Sequence, residues 1–151
     1  MSKLQFICQH HFDWVEANPK EAFDSVIQMS KIAESLIHNH QYTQALPYLG
    51  TALETVEIIF DNRLESPQLT TKLTSLAIML AQTYARLNRA EFGKQTLVRI
   101  EQKLQCAIDC AEGYATKVAF FRHCRSAITE ANFEMLGYAQ VVQAGRVSAL
   151  H

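Results

Sequence analysis

A chain of 151 residues fits one domain of ordinary size, long enough to bury a single sizeable core. With 48% of residues apolar and 19% charged the composition excludes a disordered polymer, and no apolar run reaches the roughly 18 residues that would read as a membrane span. Formal net charge is −1, so no overall bias of sign points to a class of partner.

The first ten residues, from Met1 to His10, are interrupted too early by polar side chains to read as a signal peptide, so a cytoplasmic location is expected. Cys8, Cys106, Cys110 and Cys124 are then expected to be reduced thiols. Residues 1–17, with Phe6, Ile7, Phe12, Trp14 and Val15, read as an N-terminal arm or short helix packed on the body.

Asn18-Pro19-Lys20-Glu21 reads as a helix start, with Asn18 as cap, Pro19 in the first turn and Glu21 reaching back. From there Phe23, Val26, Ile27, Ser30, Ala33 and Ile37 recur at three- and four-residue spacing, one stripe facing a core. The helix is expected to stop near His38-Asn39-His40. A second helix runs from about Tyr42 through Ala45, Leu49, Ala52, Leu53, Val56, Ile59 and Phe60, with Pro47 near its beginning, to Asp61-Asn62-Arg63.

Ser66-Pro67 repeats the cap-plus-proline signal and opens a third helix through Leu69, Leu73, Leu76, Ala77, Leu80, Ala81 and Tyr84. Asn88, with Glu91 three residues on, reads as the cap of a fourth helix carrying Phe92, Leu97, Ile100, Leu104, Ala107 and Ile108. Gly113 marks a break before a fifth helix with Tyr114, Val118, Phe121, Ile128, Ala131 and Met135. Gly137 is a point where that helix is expected to be interrupted, and residues 146–151 read as a tail. The chain is therefore expected to be all-α, with residues 18–145 forming one helical domain.

Internal repetition sharpens this expectation. Tyr42-x-x-Ala45-x-x-x-Leu49-x-x-Ala52-Leu53 resembles the second helix of a tetratricopeptide repeat, and Met29, Ile32, Ala33 and Leu36 fall at the spacing of its first helix. Moving 48 positions along, Ala77, Leu80, Ala81 and Tyr84, then Ala90, Gly93, Leu97 and Ile100, occupy the same places. Small residues recur at the points where two antiparallel helices must approach, Ala33 with Ala45 and Ala81 with Gly93. The spacing departs from the family's period of about 34, Glu57 and Gln105 stand where a closing proline is common, and residues 114–145 do not continue the pattern.

The resemblance implies a tetratricopeptide-like superhelix of about five to six helices, with a groove lined by the first helix of each hairpin and filled by a peptide or partner helix. On that basis the expected partner-binding side chains are Lys31, Ser35 and Asn39, then Lys72, Met79, Thr83 and Arg86, with Gln28 and Ser75 beside them. A non-enzymatic adaptor or chaperone-like domain follows, with a protein or peptide partner and the option of self-association. Two rival classes are a helical bundle binding a ligand or metal and a nucleic-acid regulator using Arg89, Arg99 and Lys103.

No cofactor, metal site or catalytic residue is expected from the motifs. Cys106 and Cys110 share a helix face, but Cys-x-x-Cys and His-Glu-x-x-His patterns are missing. His123 and Cys124 are adjacent and diverge by about 100° on a helix. Glu54/Glu57 and Glu130/Glu134 read as solvated helix faces. Acidic residues outnumber basic ones nine to four from Met1 to Glu65, and basic outnumber acidic nine to four from Ser66 to Arg125. This asymmetry suits charge complementarity between surfaces or a face for an acidic partner.

Overall fold

The computed structural model describes residues 4–62 and 66–149, with side chains up to Met135. Among the described residues six helices follow one another: α1 (Gln9–Ala17), α2 (Pro19–His38), α3 (Tyr42–Asp61), α4 (Pro67–Arg86), α5 (Ala90–Cys110) and α6 (Ala115–Ala149). No strand occurs among the described residues, so the all-α expectation is met. From α2 onward each helix packs on the next, α6 also reaches α4, and α1 lies against α3 and α2.

The turns that join α2 to α3 and α4 to α5 are built alike, 48 residues apart. His40 and Asn88 both adopt φ of 60°, the left-handed conformation that closes a helix. In each case the next amide bonds back five residues, Gln41 N–H to Leu36 O and Arg89 N–H to Tyr84 O, both at 2.8 Å. Asn88 therefore ends α4 and does not cap α5, whose N-cap position falls to Arg89 without a side-chain bond. Asn18 is likewise spent on the preceding helix, its Nδ2 donating to Trp14 O at 3.1 Å, so α2 starts on Pro19 alone. Ser66 does cap, its Oγ accepting from Leu69 N–H at 3.1 Å.

Pro47 lies in the second turn of α3, deeper than a first-turn proline, and removes the amide that Thr43 O would accept; both residues are exposed, so water takes that place. Arg63, expected to end this helix, lies outside the described residues. α6 continues through Gly137 to Ala149 in place of the expected interruption, and the last two residues of the expected tail are outside the described range.

Every residue of α3 from Ala52 to Phe60 is buried, Glu54 and Glu57 included. That overturns the expectation of a solvated glutamate face, and the reason lies at the N-terminus. Glu54 accepts three successive backbone amides, those of Gln5, Phe6 (2.8 Å) and Ile7 (3.1 Å). The Phe6 ring fills the space that a Cβ at Gly50 would occupy. One carboxylate and one missing side chain thus hold residues 5–7 as a strap across α3, and α1 follows from it.

At the second hairpin the close approach is direct: a Cβ on Gly93 would lie 2.9 Å from Ala81 O and 2.6 Å from Met135 Cε. Ala33 and Ala45 are fully buried at the corresponding places of the first hairpin. Some expected core residues are surface residues instead. Ile32 is 43%, Phe92 48% and Tyr114 67% exposed. Phe92 lies against the Tyr84 ring with centroids 5.7 Å apart and planes tilted by 33°, a contact at the start of α5.

Gly93→Ala is expected to lower stability, because Ala81 backbone cannot yield as Met135 can; overpacking of about 1–3 kcal/mol outweighs the helix-propensity gain of about 1 kcal/mol. Urea unfolding of the two proteins measures it, and an unchanged midpoint would contradict the close approach. Glu54→Ala is expected to strip exchange protection from the Phe6 and Ile7 amides while α4 and α5 keep theirs, as amide hydrogen exchange would record.

Candidate functional site

Two open cavities stand out among the described residues. The first, about 470 Å³, is lined by Glu34 and Ile37 of α2, Tyr42 of α3, five positions of α4, and Ala131, Glu134 and Met135 of α6. The α4 positions are Met79, Gln82, Thr83, Ala85 and Arg86, on its last two turns, so α4 contributes more of the lining than any other helix.

 The second cavity, about 660 Å³, lies where α3 ends, along α5 and at the start of α6, and includes Phe60, Cys106, Cys110, Tyr114 and Lys117.

The first cavity collects three of the side chains expected from sequence, Met79, Thr83 and Arg86. Their availability differs. Met79 is half-buried and offers its thioether to the groove, and Arg86 is exposed with its guanidinium 5.8 Å above the Tyr42 ring, a cation–π contact at the groove's end. Thr83 is only 2% exposed and its hydroxyl donates to Met79 O at 2.8 Å, so it shapes the floor without offering a polar group.

Lys31, Ser35 and Asn39 are exposed but do not line this groove, nor do Gln28, Lys72 and Ser75. On α2 the lining residues are Glu34 and Ile37, which are the 48-residue counterparts of Gln82 and Ala85. Sequence reasoning chose the neighbouring stripe on α2. It did not place Glu134 and Met135 in the groove: the spacing puts Met135 on the apolar stripe of its helix, where it is buried, but α6 breaks the repeat pattern and offers no register against α2 and α4. The Glu130/Glu134 spacing was the available signal: both carboxylates are exposed, as read from sequence.

Three charged side chains that line the other cavity, Asp61, Arg99 and Lys103, are paired within the chain. Arg99 grips Glu57 through Nε at 2.8 Å and a terminal nitrogen at 3.2 Å, and Lys103 Nζ meets the Asp61 carboxylate at 2.7 and 2.8 Å. The acidic and basic halves of the sequence thus meet as α3 against α5. Burial holds the Glu57 carboxyl above its ordinary value of 4.5, against the opposing pull of Arg99 and of Lys103.

Cys106 and Cys110 are exposed along this second cavity, Cys124 is buried and His123 exposed, so the adjacent His123 and Cys124 face different surroundings. Among the described residues no three His, Cys, Asp or Glu side chains converge as a metal cluster would require, and no helix is long and apolar enough to cross a membrane. Comparison with protein-family models, with curated proteins and with solved structures gives no match for this chain.

Because the folded-state value of Glu57 is raised, the folded protein binds its proton more tightly than the unfolded chain does. Its cost to stability is therefore full above the raised value and shrinks as pH falls through it toward 4.5. Glu57→Gln is expected to flatten that segment of the stability–pH curve, measured by urea unfolding at stepped pH; a parallel curve for the variant would refute the assignment.

Proposed function

We infer that this chain is a non-enzymatic, tetratricopeptide-like adaptor or chaperone-like domain that binds a protein partner in the groove bounded by α2, α4 and α6. The observation that carries this reading is the groove itself: an apolar floor of Ile37, Met79, Ala131 and Met135 with charged groups at its edge. Such a lining suits a partner's apolar side chains better than it suits the chemistry of a buried reaction centre. The tetratricopeptide-like assignment is supported by the matched turns at His40 and Asn88 and by the Ala81–Gly93 approach.

A nucleic-acid role draws no support from Arg99 and Lys103, whose charges are paired with Glu57 and Asp61. Self-association is not required to cover the hairpin faces either, since the strap and α1 lie on the first and α6 on the second. The proposed setting is the cytoplasm.

A photo-reactive amino acid placed at Gln82, an exposed groove position, is expected to form an adduct with a partner in native cells. The same group at Gln95, exposed on α5 away from both cavities, is expected to form none. Equal labelling from both positions, or none from Gln82, would defeat the reading.

A further inference from the structure

We propose that the occupant of this groove is an amphipathic helix whose apolar stripe is flanked on both sides by Lys or Arg. The proposal rests on the groove reading above and adds the chemistry of the partner. The depression lies over the end of α4 between residues of α2 and α6, and a third helix can rest on such a surface at the usual packing distance of about 8–10 Å. A cavity of about 470 Å³ has room for the few side chains that a helix presents from one face at i, i+3, i+4 and i+7.

Charge complementarity selects the flanks. Among the described residues, the charged groups lining the groove are Glu34 from α2, Glu134 from α6 and Arg86 from α4. Arg86 is held over the Tyr42 ring, so the two exposed carboxylates, one from each outer helix, remain to meet a partner's cations. Between them Met79 and Met135 supply unbranched, polarizable side chains that adapt to a stripe of Leu, Ile or Met. An acidic partner helix would bring like charges against both walls.

The test uses the full chain and three fluorescent synthetic peptides. One has Leu at i, i+3, i+4 and i+7 flanked by Lys, the second has Glu at each Lys position, and the third is the Lys peptide with a central proline. Anisotropy is expected to show the Lys peptide binding about tenfold more tightly than the Glu peptide at low salt. The preference is expected to reverse in the Glu34→Lys, Glu134→Lys double variant, whose exposed positions leave the fold intact by circular dichroism. Weak binding of the proline peptide completes the expected pattern.

Equal binding of the Lys and Glu peptides, or an unchanged preference in the double variant, overturns the assignment of the flanks. Undiminished binding of the proline peptide overturns the helix. If no peptide binds while Gln82 still captures a partner, the proposed occupant fails and the groove reading survives; if Gln82 captures nothing as well, both fall.

Discussion

A helical stretch buried on every side has no place for an unpartnered carboxylate, and α3 carries two between Ala52 and Phe60. That constraint organises the molecule. Glu54 is satisfied by the strap, whose three amides supply the bonds that water would otherwise provide, and Glu57 by the bidentate guanidinium of Arg99. Removing either partner would leave a charge in a dry setting, which costs more than the pair contributes. The N-terminus and α5 are therefore held to the central helix by polar contacts as well as by apolar packing.

The opposite surface follows a different logic. Where α3 and α5 face each other, unlike charges are consumed internally. Around α2, α4 and α6 the carboxylates of Glu34 and Glu134 stay exposed at the edge of an apolar depression. A side of the fold whose charges are spent and a side whose charges are free differ in what they can recognise, and that contrast directs the functional proposal to the groove.

Much of the helical architecture was legible because its signals are local. Ser66-Pro67, Gly113 and the small residues at Ala81 and Gly93 each act through the few bonds or ångströms around them. Asn18 and Asn88 misled because an asparagine side chain or a left-handed asparagine can finish the preceding helix as well as start the next, and only geometry tells which. The burial of Glu54 was invisible for another reason: its partners are backbone amides, which leave no mark on composition. The α6 side of the groove, Ala131, Glu134 and Met135, was not foreseen because α6 lacks the repeat spacing that would have set it against α2 and α4.

The matched turns at His40 and Asn88 carry a wider consequence. A turn that fixes the exit of one helix and the entry of the next acts as a standard joint. Because His40 and Asn88 hold a left-handed backbone that β-branched side chains resist, a Val at either position would misdirect the helix that follows it, α3 or α5, while the other joint kept its geometry.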